Sequence, residues 1–154
     1  MFKNSLHQIA ILFVLIGCYT IGCTLNSDSN TGSGYMTKVD YENNSIGRKR
    51  TSKYISNKGL YLFFEQGFLK DTIDISINNE PYSSRLYMTT EEYLSLATMV
   101  EFQNIDQIET VEIRKNKGRV LQIILDDKRM NIWGINYWSD TLRAYWYKYP
   151  PVYE

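Results

Sequence analysis

From Lys58 onward the chain breaks into short apolar runs separated by turn-forming residues roughly every eight to twelve positions, and this spacing restricts it to a many-stranded β fold. Thr72-Ile73-Asp74-Ile75-Ser76-Ile77-Asn78 alternates strictly, so Ile73, Ile75 and Ile77 share one face of a strand. Leu60 to Phe64 is a short continuous apolar run. Asn78-Asn79-Glu80-Pro81 reads as a turn, with Ser84 to Met88 returning. Thr110 to Arg114 turns Val111 and Ile113 inward and leads into Lys115-Asn116-Lys117-Gly118, a hairpin in which Gly118 is free to take positive φ. Val120 to Leu125 is the partner strand, and Asp126-Asp127-Lys128-Arg129 is the next turn. Met130 to Trp138 is a long strand, with Gly134 a bulge or a point of close contact. Ser139-Asp140 turns into a last strand from Leu142 to Tyr149, which Pro150-Pro151 ends.

The pattern predicts an all-β, antiparallel β-sandwich of about seven or eight strands, immunoglobulin-like, with at most one short helix. The connections from Thr110 to Tyr149 are too short for parallel crossovers and predict a meander. The helix would start at Thr89, which stands three residues before Glu92 as in a capping box, with Tyr93, Ala97 and Val100 on one face. Leu96 to Phe102 reads equally well as a bulged strand. Aromatics make up 14% of the chain, enough for a packed core resting on packing alone.

The N-terminus has a different character. Met1 to Gln8 is polar and carries Lys3, and Ile9 to Ile16 is unbroken and apolar. A membrane-spanning helix needs about 20 apolar residues, so this shorter run reads as the apolar part of a secretory signal. Leu15-Ile16-Gly17-Cys18, directly after that run, resembles the lipobox of bacterial lipoproteins. Ile16 departs from the small residue usual at its position. The resemblance implies cleavage before Cys18, a diacylglycerol on its sulfur, and a cell-envelope location. It implies the outer membrane if the cell has two, because Tyr19 is not the aspartate that retains enterobacterial lipoproteins at the inner one. Thr20-Ile21-Gly22-Cys23 is the alternative, with Thr24 next; cleavage there leaves no unpaired thiol behind. Two or more acyl chains anchor stably, at about 0.8 kcal/mol per buried methylene. The expected organisation is a signal peptide over 1–17, a flexible polar tether over 18–57 and the sandwich over 58–154. Arg48, Lys49, Arg50 and Lys53 in the tether are solvated linker charge, or a contact to anionic lipid or glycan.

The residue inventory argues against most catalysis. His7, Cys18 and Cys23 are the only histidine and cysteines, so the exported domain has neither imidazole nor thiol. Ser-His-Asp and Cys-His mechanisms and ordinary zinc sites have no residues to use. There is no phosphate-binding glycine loop, and 17 basic residues balance 17 acidic ones, so neither nucleotides nor nucleic acid are expected. Asp71, Asp74, Asp126, Asp127 and Asp140 lie at strand ends, where turns favour aspartate for backbone reasons; two together could instead serve glycoside hydrolysis, or acids at loop tips calcium. No enzyme activity, metal or cofactor is expected.

The C-terminal aromatics are the candidate ligand site. Trp133, Ile135 and Tyr137 share one face of their strand, with Gly134, Asn136 and Trp138 on the other; Leu142, Ala144 and Trp146 oppose Arg143, Tyr145 and Tyr147. With the Leu142 face in the core, Tyr145 and Tyr147 are exposed beside Trp138, available to stack on sugar or anchor a partner. The alternative is that they are cross-strand pairs that stabilise the sheet. The expected function is a non-enzymatic envelope lipoprotein whose sandwich binds a protein partner or acts as a scaffold, or else binds carbohydrate through Trp138, Tyr145 and Tyr147.

Overall fold

The computed structural model describes residues 34–43, 55–82 and 85–153, and these form an all-β sandwich. The strands are β1 (Met36–Asp40), β2 (Gly59–Phe64), β3 (Asp71–Ile77), β4 (Glu80–Pro81), β5 (Leu86–Met88), β6 (Thr98–Gln103), β7 (Thr110–Lys115), β8 (Val120–Ile124), β9 (Ile132–Trp138) and β10 (Thr141–Trp146). One sheet has the order β1-β10-β9-β2-β6; the other has β4-β3-β7-β8, with β5 also paired to β3. Among the described residues the only helical element is a 3-10 turn at Ile105–Gln107.

Alternation builds the core between the sheets. Leu60, Leu62, Phe64, Trp133, Ile135 and Leu142 face inward from the first sheet. Ile73, Ile75, Val111, Ile113, Leu121 and Ile123 meet them from the second. The fully buried Trp133 places its indole N–H on the Met130 carbonyl oxygen at 2.7 Å, so its one polar atom is satisfied.

Hairpin turns set the register. Asn78-Asn79 and Ser139-Asp140 each hold both residues at positive φ, the geometry that matches strand twist in two-residue hairpins; Asn116 and Lys117 also have positive φ, but the register of Arg114 opposite Val120 leaves one more residue in that connection. The positive φ of the β7–β8 turn therefore falls on Asn116 and Lys117, not on Gly118. Gly118 is glycine for another reason: a Cβ there would lie 2.1 Å from the Tyr35 ring. Gly134 is likewise a close-contact point rather than a bulge, since the β9 ladder runs through it unbroken.

Four expectations need correction. The 18–57 tether is not wholly outside the fold: β1 pairs in parallel with β10, and the buried Tyr35 hydroxyl donates to the Arg119 carbonyl oxygen at 2.7 Å. The first sheet is not purely antiparallel, because β1–β10 and β2–β9 are parallel pairs, the second departing from immunoglobulin-type pairing. The meander is interrupted, with β7–β8 and β9–β10 as hairpins in different sheets. The segment after Thr89 is no helix: Glu91 bridges Leu96 around a tight turn with Ser95 at positive φ, and β6 follows, which is the strand alternative. Thr89 and Thr90 use their hydroxyls elsewhere, accepting from the Lys70 and Phe68 N–H groups.

β2 is buried along its whole length, because the first sheet is covered on both faces. On the outer face Tyr61, Phe63, Ile132 and Tyr147 form a second apolar cluster. The last strand stops at Trp146, short of the expected Tyr149, so Pro150 and Pro151 do not end it; both prolines are buried, and their segment lines the outer face through Tyr153, whose ring lies 6.0 Å from that of Phe63. This cover creates the site described next.

Candidate functional site: a carboxylate-floored aromatic cleft

Register brings the polar residues together. The Ser139-Asp140 turn pairs Asn136 with Arg143 and Gly134 with Tyr145. The parallel β2–β9 pairing, Phe64 opposite Ile135, then sets Glu65, just beyond β2, beside Asn136. Glu65, Asn136 and Arg143 thus lie abreast on the outer face of the first sheet, at the end of the second apolar cluster.

Glu65 is only 7% exposed. Its Oε2 accepts from Asn136 Nδ2 at 2.7 Å and from the Tyr147 hydroxyl at 3.0 Å, and its Oε1 accepts from the Tyr153 hydroxyl at 2.6 Å. Asn136 Oδ1 in turn accepts from the Gln66 N–H at 2.8 Å, so both ends of that amide are used. A buried carboxylate needs such donors, since losing water without replacement is costly. Burial pushes the Tyr147 and Tyr153 hydroxyls well above the ordinary tyrosine range, and the adjacent Glu65 charge pushes them further. Gly134 makes this packing possible: a Cβ there would sit 2.4 Å from Tyr147 Cε2, so the tyrosine ring occupies the space glycine leaves.

Above this floor opens a cleft of ≈ 780 Å³, within the 300–1,000 Å³ usual for small-ligand sites. Gln66, Tyr93, Trp138, Arg143, Tyr145 and Val152 are among its walls. Trp138 is 66% exposed and Tyr93 94%. Arg143 is half-buried, with its Nε shielded from water and without a hydrogen-bond partner. The cleft therefore offers flat aromatic surface, an amide and an uncommitted guanidinium on a rigid sheet.

All three residues singled out from the sequence, Trp138, Tyr145 and Tyr147, line this one cleft. Tyr147 is not exposed, however: it is 6% exposed and spends its hydroxyl on Glu65. The C-terminal segment covers it, and strand alternation alone could not show that. Glu65, Gln66 and Tyr93 went unnoticed because they come from distant segments. Asn136 and Arg143 were findable, since a two-residue turn at Ser139-Asp140 dictates that they pair.

Most of the aspartates singled out from the sequence have structural partners, and Asp74 sits inside β3 rather than at a strand end. Asp71 pairs with Lys115 at 2.9 Å, Asp74 with Arg85 at 2.7 Å and Asp127 with Arg129 at 2.6 Å, while Asp140 accepts from the Tyr137 hydroxyl at 3.0 Å. Among the described residues no three His, Cys, Asp or Glu side chains group to hold a metal, and no helix is long and apolar enough to cross a membrane. Cys18 and Cys23 lie outside the described residues.

No family model matches the chain, and no curated protein or solved structure matches it significantly. The functional reading rests on the cleft itself.

Proposed function

We propose that the chain is a lipid-anchored envelope protein, lipidated at Cys18 or Cys23, whose sandwich is a non-enzymatic carbohydrate-binding module. One observation carries the binding part: Trp138 and Tyr145 share an open cleft with the planar polar side chains of Gln66 and Arg143. Sugars are recognised by this combination, with C–H faces against aromatic rings and hydroxyls in hydrogen bonds to planar amide and guanidinium groups. The short apolar run before Cys18 supports the anchor.

The test is a glycan array probed with the exported chain, followed by calorimetry on the hits. Trp138→Ala and Tyr145→Ala are expected to weaken binding about tenfold each, or ~1.4 kcal/mol. Trp138 is largely exposed, so its loss should leave the melting temperature nearly unchanged. A blank array, or hits indifferent to both substitutions, would overturn the reading. Metabolic labelling with a fatty-acid probe, repeated on Cys18→Ser and Cys23→Ser, tests the anchor.

A protein partner or scaffold role has its own support in Tyr93 and Leu94, exposed side by side at the tip of the turn that lines the cleft. Cross-linking in envelope extract that disappears in Tyr93→Ser, together with a blank array, would favour it.

A further inference from the structure

We infer that the ligand of this cleft is an acidic saccharide, whose uronate carboxylate docks on Arg143. The inference rests on the carbohydrate reading and goes beyond it by naming the ligand's charge.

The groups still free in the cleft are mainly donors. Arg143 is the one cation among its lining residues, and none of its nitrogens bonds to a described residue. The Trp138 indole N–H and the Tyr145 hydroxyl are likewise uncommitted. The lining acid, Glu65, is engaged and shielded, with three donors on its two oxygens and almost no exposure. The Asn136 amide is spent between Glu65 and Gln66. An arriving ligand therefore meets a guanidinium seeking an acceptor, while the only negative charge is screened behind hydroxyls.

The form of that acceptor follows from geometry and charge. A guanidinium presents a flat fork of N–H groups that fits a carboxylate with two parallel hydrogen bonds. The guanidinium and the buried carboxylate already sum to zero, so every charge an anion brings is in excess beside Glu65; a uronate brings one and a doubly charged phosphate two, which favours the carboxylate. Arg143 lies diagonally across the hairpin from Trp138, whose direct partner is Thr141, and two residues before Tyr145 on the same strand. Cross-strand diagonals span about 7–8 Å. A sugar ring stacked on Trp138 thus puts its own carboxylate, or its neighbour's, within reach of Arg143.

The probe is a panel of uronic-acid oligosaccharides, each paired with its fully methyl-esterified form and accompanied by sulfated neutral glycans. The exported chain is titrated with each at low and high salt. At least one acid is expected to bind tenfold or more tighter than its ester, with the difference shrinking as salt rises. Arg143→Gln should erase the preference for the acid, so that acid and ester bind alike; Arg143→Lys, which keeps the charge without the fork, should restore part of that preference. Both variants are first checked by thermal melting, and the salt dependence of the unmodified chain stands without them. Esters binding as well as acids, or sulfated glycans binding more tightly than uronates, would overturn the inference while leaving carbohydrate binding in place. A chain that binds no glycan of any kind overturns both.

Discussion

Gly134→Ala is a small change with a large expected effect, because the missing methyl group is what seats the second apolar cluster. A Cβ at this position would lie 2.4 Å from Tyr147 Cε2, 2.6 Å from its hydroxyl oxygen and 2.8 Å from Cζ. Those atoms belong to a ring that is 6% exposed, wedged among Phe63, Tyr61 and Ile132. The ring must therefore move as a body, and the 3.0 Å bond from its hydroxyl to Glu65 Oε2 is broken or stretched. Overpacking of this kind costs about 1–3 kcal/mol. Losing a hydrogen bond to a charged group adds about 1.5–3 kcal/mol. Alanine is better than glycine inside a strand by about 0.5–1 kcal/mol, which offsets part of the cost. The net expectation is a destabilisation of about 2–5 kcal/mol.

Urea unfolding measures it, by a fall in the midpoint at unchanged slope. Gly34→Ala is the control: nothing lies within 4 Å of the Cβ it would gain, so it should shift stability by no more than about 0.5 kcal/mol. The double variant Gly134→Ala with Tyr147→Ala closes the cycle. If the clash is the cause, the two effects are strongly non-additive, because removing the ring leaves the methyl group nothing to strike. A Gly134→Ala cost below about 1 kcal/mol, or additive effects in the cycle, would refute the packing account of the cleft floor.

Further expectations follow from the same contacts. In alkaline titration followed by tyrosinate absorbance, Tyr35, Tyr61 and Tyr137 should ionise above the ordinary value and Tyr147 and Tyr153 should resist furthest, so that Tyr147→Phe and Tyr153→Phe each remove one of the most resistant groups. The stability these hydroxyls supply is complete below the unfolded-state pKa of about 10 and is lost as pH rises from there toward the raised folded values. Asp71→Ala leaves the Lys115 ammonium, 10% exposed and 4.0 Å from the Tyr137 ring centre, without its carboxylate; a loss of about 3–5 kcal/mol in urea unfolding is expected, and less for Asp71→Asn. Arg129 side-chain and backbone hydrogen bonds hold the Asp127 carboxyl down at about 2, so carbon-detected NMR titration should find its midpoint there, and Arg129→Ala, which removes the guanidinium but keeps the backbone N–H, should raise it only part of the way. This pair lies at the surface, and the stability it lends is present above the unfolded-state pKa and lost as pH falls through the folded value.

Those contacts differ in how far the sequence exposes them. Ile73, Ile75, Val111, Ile113 and the Leu142 face occupy the core as alternation requires, and the Ser139-Asp140 turn fixes the β9–β10 register by itself. Local pattern reaches that far and no further. The parallel pairs joining β1 to β10 and β2 to β9 bring together segments roughly seventy to a hundred residues apart, and no local spacing encodes them. β1 was hidden for a related reason: Met36, Thr37 and Lys38 are exposed, so the strand has the polar composition of a linker and is held by Tyr35 and by backbone pairing. The Thr89–Glu92 capping pattern misleads because the two threonine hydroxyls find stronger uses at the Lys70 and Phe68 N–H groups than a helix end would offer.

The same limit explains why Tyr147 misleads where Trp138 does not. Alternation states which face a side chain takes, and both residues are on the outer face of the first sheet. It does not state what covers that face. Trp138 ends β9 and stays open, while Tyr147 lies within reach of Glu65, where Tyr153 and the buried prolines close over it. A buried carboxylate with no cation in contact is tolerable only when several donors converge on it, and the two tyrosine hydroxyls and the Asn136 amide are those donors. Glu65 thereby ties the C-terminal segment to the sheet and gives the cleft a preorganised floor. With the acid committed to holding the wall in place, recognition passes to the neighbouring groups that have no such duty, Arg143 and Trp138.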